Sequence, residues 1–296
     1  MDYKTNIEAE LKTAAALAED ALEGALSPAF TGNTVVGEAM RYSTLGGGKR
    51  IRAYLVLAFC TLFGGTNQAA LPFACALECV HAYSLIHDDL PCMDDDALRR
   101  GKPSCHIRFG EAEALLAGDA LLTYAFECAA SNAYVSAGSV RLAVKTLAAE
   151  AGPRGMVGGQ TLDMAAEMKD YGELCAMIDG KTSALIRAAC LLGYYAATDE
   201  ADPAVIEKIT AYANAIGLGF QIHDDILDVT SDTATLGKEV GSDEKNGKKT
   251  ALAFMTLDEA RKTEEELVRH AREAVAGFEG SETLADLALW LSRRNK

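Results

Sequence analysis

Two aspartate-rich runs dominate the chemistry this chain could perform: His87-Asp88-Asp89-Leu90-Pro91-Cys92-Met93-Asp94-Asp95-Asp96 and His223-Asp224-Asp225-Ile226-Leu227-Asp228. Both lie in apolar, helix-forming surroundings. Like charges at ~4 Å repel by about 1 kcal/mol in water and about 4 at an effective dielectric near 20. Runs this dense need cations, which makes divalent-metal chemistry the first expectation. Asp224 and Asp228 are four apart and share a helix face, and Gln221 lies one turn earlier on nearly that face. In the first run the acids are spaced D-D-x-x-x-x-D, and Pro91 biases Leu90 out of helix. A local bulge or helix end must therefore bring Asp94 back, so that Asp88, Asp89 and Asp94 can ligate together. Oxygen donors with no supporting Cys, completed by water or phosphate, suit Mg²⁺ better than Zn²⁺. A single acidic run would read as a solvated helix face, but two matched runs argue against that.

Positive residues complement the acids. Arg99-Arg100-Gly101-Lys102 follows the first run, and a planar guanidinium grips a diphosphate bidentately. Gly46-Gly47-Gly48-Lys49-Arg50-Ile51-Arg52 opens a helix, where backbone N–H groups with Lys49 and Arg52 form a candidate anion site. It lacks the P-loop spacing, and no strand precedes it. Lys181-Thr182, Lys238 and Lys248-Lys249-Thr250 are further basic candidates, each of which alone reads as solvation. His81 lies two helical turns before Asp88 on the same face, while His87 and His223 flank the first Asp of each run and are placed as orienting residues. No G-x-S-x-G or Cys/His nucleophile emerges, so the chemistry reads as electrophilic, with cations stabilising a diphosphate leaving group.

The elements that must hold these residues are helices. Apolar residues recur at three-to-four spacing, Ala and Leu dominate, and β-branched alternation is scarce, so the fold class is all-α. The pattern predicts helices over 3–26, 34–43, 48–63, 69–90, 110–131, 139–150, 154–168, 172–194, 203–229, 250–277 and 282–294. With 296 residues, 49% hydrophobic content and no Pro/Ser-rich linker, 1–296 reads as a single domain. Leu85-Ile86-His87-Asp88-Asp89-Leu90 echoes Gln221-Ile222-His223-Asp224-Asp225-Ile226 at an offset of 224 − 88 = 136 residues. That suggests two similar helices presenting acids across a bundle cavity. A net charge of −15 and the lack of a long basic stretch argue against a nucleic-acid binder. The 8 Cys form no C-x-x-C pair and read as reduced core residues. The N-terminus has no basic start and no apolar block, and no uncharged apolar run reaches ~18 residues, which points to the cytosol without stable membrane insertion.

Taken in order, these motifs resemble those of the trans-type (E)-polyprenyl diphosphate synthase family, particularly its bacterial farnesyl diphosphate synthases. The likeness runs from about Arg41 to Lys296. It rests on Gly47-Gly48-Lys49-Arg50-x-Arg52, on His81 to Asp95, on Arg99-Arg100-Gly101-Lys102-Pro103, on Lys181-Thr182 and on Phe220-Gln221-x-x-Asp224-Asp225-x-x-Asp228. The resemblance implies an isoprenoid-synthase-type helical bundle around a central cavity, usually a homodimer, with several Mg²⁺ ions per active site and Mn²⁺ as a substitute. It implies Asp88, Asp94 and Asp224 as direct ligands, and Asp89, Asp225 and Asp228 as ligands or water-mediated supports. Arg99, Lys181, Thr182, Gln221, Lys238 and Lys248 would hold the allylic diphosphate, and Lys49, Arg52, His81 and Arg100 would hold isopentenyl diphosphate. Of these, Asp88, Asp94, Arg99, Lys181, Asp224 and Lys238 are the expected catalytic set. Lys248-Lys249-Thr250-Ala251 departs from the family's Lys-x-Thr-Tyr, which leaves the register of the last lysine open.

Tyr83 lies five residues before Asp88, about 7.5 Å along the helix at ~1.5 Å per residue. In similar enzymes a bulky aromatic there, with its neighbour Ser84, resembles a floor that stops the product at fifteen carbons. A farnesyl product is therefore expected, and a twenty-carbon geranylgeranyl product is the alternative. Two more distant readings are a histidine-aspartate metal phosphohydrolase, which needs His87 and His223 as ligands, and a silent partner subunit, which should have lost acids from one motif.

Overall fold

Ala- and Leu-rich periodic segments become helices through most of the computed structural model, which describes residues 3–27, 34–164, 168–230 and 250–294. The chain divides into two compact units, one formed by Glu8–Leu147 with Leu191–Glu200 and the other by Met1–Ile7, Ala148–Cys190 and Ala201–Lys296.

The first unit is built around α4 (Asn67–Asp88), which packs against α3 (Ile51–Leu62) and α6 (Glu111–Ala130). Thr66 starts α4 by accepting a hydrogen bond from Ala69 N, satisfying one of the orphan donors of a helix N-terminus. Phe73, Leu77 and Ile86 on this helix are fully buried, each contributing about 1.5–3 kcal/mol. By length and composition α4 could cross a membrane, but 72% of its apolar window is buried inside the protein, as in a core helix. Around it lie most of α1 (Tyr3–Ala25), α2 (Val35–Thr44), the short α5 (Cys105–Phe109) and most of α7 (Ala137–Ala151). The sequence left no place for strands, yet a two-residue antiparallel ladder pairs β1 (Leu98–Arg99) with β2 (Lys102–Pro103). Its central residues Arg100 and Gly101 both take positive φ (54° and 74°), as a type I′ hairpin turn requires.

The second unit contains α8 (Met156–Asp163), α9 (Tyr171–Ile178), the first half of α10 (Ala184–Ala197), α11 (Pro203–Thr230), α12 (Leu257–Val275) and α13 (Glu282–Leu291). Helix α11 lies along α12. Leu174, Ile178, Ile222, Ile226 and Ala260 form a common core that fixes the rotation of the intervening Asp224 and Asp225. Three predicted helices in this part of the chain are corrected. The 172–194 helix is interrupted by a π-helical turn at Asp179–Ser183. The 154–168 helix ends at Asp163. The 250–277 helix begins only at Leu257, after a 3₁₀ turn at Ala251–Ala253, because Thr256 and Glu259 form a reciprocal capping box there. All eight cysteines are free, as expected, though Cys92 is exposed.

The predicted start of the third helix at 48 moves to Ile51 because Arg50 occupies a left-handed cap (φ 49°). Its guanidinium reaches Glu78 on α4 at 2.6 Å and Glu19 on α1 at 2.6 Å, and also donates to Thr44 O. Glu78 in turn accepts from Ala53 N at 3.2 Å. Burial works against the Arg50 charge, but Glu78 and Glu19 outweigh it and raise its pKa above the ordinary arginine value. With side chains only 3% and 2% exposed, Arg50 and Glu78 depend on each other. Glu78→Gln should therefore destabilise the protein by about 3–5 kcal/mol in urea titrations, since it leaves a buried cation short of its counter-ion.

Candidate active site

The first aspartate run begins where α4 ends. Pro91 cannot continue the helix, and the chain turns back: Leu90 N donates to His87 O at 3.2 Å, Met93 N to Leu90 O at 2.8 Å and Asp94 N to Asp88 O at 2.9 Å. Asp95 takes a left-handed conformation (φ 54°) to close the turn. The return of Asp94 to Asp88 demanded by the sequence spacing is thus made through the backbone. Asp89 points elsewhere: its buried carboxylate receives Arg99 Nε at 2.9 and 3.2 Å, and Arg99 Nη2 bridges it to Asp96. Burial opposes the Arg99 charge, and the Asp89 bonds override it to raise the Arg99 pKa. The β1–β2 hairpin sets this pair, and Tyr42 anchors it by donating to Pro103 O at 2.7 Å.

At the hairpin tip, Arg100 turns back to donate to Gly47 O and lies against Gly48. The Gly-rich turn, Arg52 at the start of α3, His81 on α4 and Arg100 therefore belong to one cationic neighbourhood. Burial lowers the pKa of Arg52, and Arg100 adds to that effect. Arg100 is lowered likewise, by burial and then by Arg50. His81 is held well below its ordinary value by burial and then by Arg52 and Arg100. Arg52 Nε, buried, meets no hydrogen-bond acceptor among the described residues. Positive groups that repel one another and leave a donor unmet form a place where an anion would relieve the strain. Lys49, beside them in sequence, is exposed.

In the second unit the π turn carries Lys181 and Thr182, and π turns recur at functional sites. Its backbone passes so close to α8 that a Cβ on Gly159 would lie 2.0 Å from Lys181 N. Lys181 Nζ pairs with Asp163 at 2.5 Å. Arg187, one turn on, binds Glu150 at 2.8 Å, Asp179 at 2.9 Å and Asn214 at 2.6 Å, tying the π turn to α7 and α11. The sequence reading missed Asp163, Arg187 and Glu78. The clearest signal is that of Glu78, a lone charge in the apolar run Ala76-Leu77-Glu78-Cys79-Val80.

Along α11, Gln221 Nε2 donates to Asp225 Oδ1 at 3.1 Å, and Ala251 N donates to Asp225 Oδ2 at 2.8 Å. Gln221 thus uses its four-residue neighbour rather than the face of Asp224, and buried Asp225 anchors the 3₁₀ turn. Asp224 pairs with Arg294, whose guanidinium stacks 3.7 Å from the Phe220 ring centroid. His223 Nδ1 lies 2.6 Å from Glu264 Oε1 and its Nε2 2.9 Å from Arg294 O, so it orients the second run as expected. Lys238, Lys248 and Lys249 lie outside the described residues. A cavity of about 1050 Å³ along α12 and α13, with His223, Ile226, Arg261, Val268, Arg272 and Leu289 in its lining, holds none of the aspartates or basic residues expected to bind metal or diphosphate.

Among the described residues no three His, Cys, Asp or Glu groups converge as a ready-made metal cage. Mg²⁺ does not require one: it is commonly bound through one or two carboxylates, with water and substrate phosphates completing the octahedron. The donors in both runs are hard carboxylate oxygens, and the turn that returns Asp94 to Asp88 fits that use.

The sequence pattern of the polyprenyl synthetase family matches residues 33–283, and the chain belongs to that family. It is similar to the farnesyl diphosphate synthase of Escherichia coli (strain K12), with 45% identity and 100% of each chain covered. It is also similar to the heterodimeric geranylgeranyl pyrophosphate synthase large subunit 1, chloroplastic, of Arabidopsis thaliana, at 46% identity over 86% of this chain and 70% of that one. Among solved structures it resembles an apo FPP/GFPP synthase from Zymomonas mobilis, with a TM-score of 0.84 and 34% identity, covering 98% of this chain and 99% of the other.

The depressed His81 pKa has a measurable consequence. The unfolded chain titrates His81 near 6.5, whereas the folded protein keeps it neutral to lower pH. Below pH ~6.5 the unfolded state therefore binds the extra proton, and stability falls as pH falls, by up to about 1.4 kcal/mol per pH unit from this group, until the folded protein also protonates it. Denaturant titrations from pH 7.5 down to about 5 should show this slope in the wild type and a shallower one in His81→Asn.

Proposed function

We propose that the protein is a farnesyl diphosphate synthase, condensing isopentenyl diphosphate with dimethylallyl and then geranyl diphosphate, with 1–296 acting as one catalytic domain. The observation that carries this reading is the buried Nε of Arg52, which meets no acceptor among the described residues, beside Arg100 on the hairpin and a His81 kept neutral on the helix that ends in the Asp88–Asp94 turn. Family membership and full-length similarity to a farnesyl diphosphate synthase support it.

In this reading Lys49, Arg52, His81 and Arg100 hold the isopentenyl diphosphate. Neutral His81 donates a hydrogen bond, and the buried Nε of Arg52 acts at low dielectric. Arg99, kept in place by Asp89, and Lys181, kept by Asp163, bind the allylic diphosphate with Thr182, Gln221, Lys238 and Lys248. Asp88, Asp94 and Asp224, with Asp89, Asp225 and Asp228 in support, would hold Mg²⁺, which would supply the Lewis-acid stabilisation that makes diphosphate a leaving group. The allylic C–O bond then ionises, the isopentenyl double bond attacks the cation, and a proton leaves to the departing pyrophosphate. Apolar walls exclude the water that would otherwise capture the cation. Tyr83 ends the apolar path, which favours the fifteen-carbon product over the twenty-carbon one. Burial, and then Asp88, push the Tyr83 phenol up to about 12, so it stays neutral there.

The phosphohydrolase reading finds less support: both ring nitrogens of His223 face protein oxygens, and His87 Nε2 faces Leu115 O at 3.1 Å. The silent-subunit reading has no missing acid to rest on. A cytosolic homodimer completes the proposal. Ile107, Leu115 and Leu116, large apolar side chains exposed on one unit, support a partner surface, and light scattering should give twice the chain mass.

Incubation with isopentenyl and dimethylallyl diphosphates should yield a fifteen-carbon diphosphate with Mg²⁺ and nothing with EDTA, as read by mass spectrometry. Asp224→Asn should lower kcat by about 10²–10³-fold, the usual cost of one electrostatic contact to a developing charge. No condensation by folded wild-type protein with Mg²⁺ present would overturn the proposal.

A further inference from the structure

The last turn of α4 carries a contact that the proposed reaction does not explain. Tyr83 and His87 are four residues apart and so share a helix face. Their rings meet edge to face, with centroids 5.7 Å apart and an interplanar angle of 78°, the geometry that aromatic quadrupoles favour. His87 has left the acidic run to which it belongs in sequence. Its Nε2 lies 3.1 Å from the carbonyl oxygen of Leu115 on α6 and donates to it. That carbonyl belongs to a helix whose next turn is cut away at Gly118: a Cβ there would lie 2.0 Å from His87 Nε2 and 2.4 Å from its Cδ2. The ring therefore fits only because residue 118 has no side chain.

Three features thus act on one ring: a hydrogen bond at its far end, a niche on α6 shaped to admit it, and the Tyr83 edge it supports. Tyr83 is buried, and its position on α4 is held partly by what stands behind it. Without the His87 ring an aromatic side chain there gains room to tilt about χ1 and χ2.

We propose that His87, seated by Leu115 O in the niche of Gly118, is a positioning residue that fixes Tyr83 as the stop for chain growth, so that product length is set jointly by Tyr83, His87 and Gly118. This rests on the reading of Tyr83 as the end of the apolar path in a prenyl diphosphate synthase. It adds two specificity-determining residues, one of them on a different helix from the aspartate run.

The test compares wild type, His87→Ala, Gly118→Ala and the double variant with isopentenyl and dimethylallyl diphosphates and Mg²⁺, sizing the products by mass spectrometry. Each single variant should raise the ratio of twenty- to fifteen-carbon product by about tenfold, equivalent to about 1.4 kcal/mol in the competing barriers, while total turnover changes little. The double variant should exceed neither single one, because Gly118→Ala acts only by evicting the ring that His87→Ala removes. Ala is a better helix former than Gly, so α6 itself should tolerate the exchange. Should Gly118→Ala nevertheless fail to fold by circular dichroism, His87→Ala alone decides.

An unchanged product ratio in His87→Ala would overturn the inference, as would additive effects in the double variant or complete loss of turnover in His87→Ala. If the wild type itself makes no prenyl diphosphate, the underlying reading fails instead. If the wild type makes the fifteen-carbon product and the variants do not differ from it, only this inference fails.

Discussion

Charge gathered in apolar surroundings must find its opposite or raise the free energy of the fold. Arg50 is answered by Glu78 and Glu19, Arg99 by Asp89 and Asp96, Lys181 by Asp163, and Arg187 by Glu150 and Asp179. Apart from Arg99–Asp96, three apart in sequence, each of these pairs joins separate segments, so satisfying the charge also fixes the position of a helix, a hairpin or a π turn. The compensation runs short around Arg52, Arg100 and His81, whose pKa values all move in the direction of shedding charge. In a chain with a net charge of −15, such a cluster is not a by-product of a basic composition. It is a local choice, held in place by its neighbours' ion pairs.

The backbone makes the same point in another way. Non-glycine residues with positive φ among the described residues are Arg50, Asp95 and Arg100, and each stands at a turn that aims a charged side chain. Arg50 leaves the helix axis to reach Glu78, Asp95 closes the loop that brings Asp94 back, and Arg100 carries the hairpin tip onto the Gly-rich turn. Left-handed conformations cost something for side chains with a Cβ, and they persist where surrounding contacts over-determine them. Together with the π turn under Lys181, these irregularities are confined to segments that carry the proposed chemistry.

That pattern explains what could be read from the sequence. Helices announce themselves by apolar period, and the long α1, α4, α6 and α11 lie where the period places them. The return of Asp94 to Asp88 was also legible, because Pro91 forbids the helix and leaves little alternative. The π turn at Asp179–Ser183 was not. One extra residue leaves little trace in the apolar period of the segments on either side, and the close passage of Gly159 against the turn is a tertiary feature that local pattern does not carry. Arg50 was hidden by the glycines before it, which look like the natural place for the unusual conformation that Arg50 itself adopts. Gln221 was placed with Asp224 because a 3.6-residue period leaves it near both Asp224 and Asp225. The buried position of Asp225, set by Ala251 N, decides the matter in three dimensions.

The second run brings the charge constraint to the end of the described chain. The Arg294 side chain is 4% exposed and that of Asp224 44%, so the carboxylate of the pair is the one that meets solvent. Arg294 cannot simply swing aside, since its guanidinium stacks on Phe220 and its carbonyl receives His223. Burial lowers its pKa, against the pull of Asp224 and Glu264, which means that losing Asp224 as a partner would leave a cation in a poor environment. A divalent ion that took up Asp224 would therefore gain the carboxylate only at the expense of an attraction that already exists. Its net affinity there is a difference between two terms rather than the whole Coulomb energy. The deficit shrinks when the ion arrives with further anionic oxygen, because those oxygens attract both the ion and the displaced guanidinium. On this argument a metal ion and a diphosphate bound at Asp224, as proposed, would reinforce each other's binding, and Arg294 would discriminate against the metal alone.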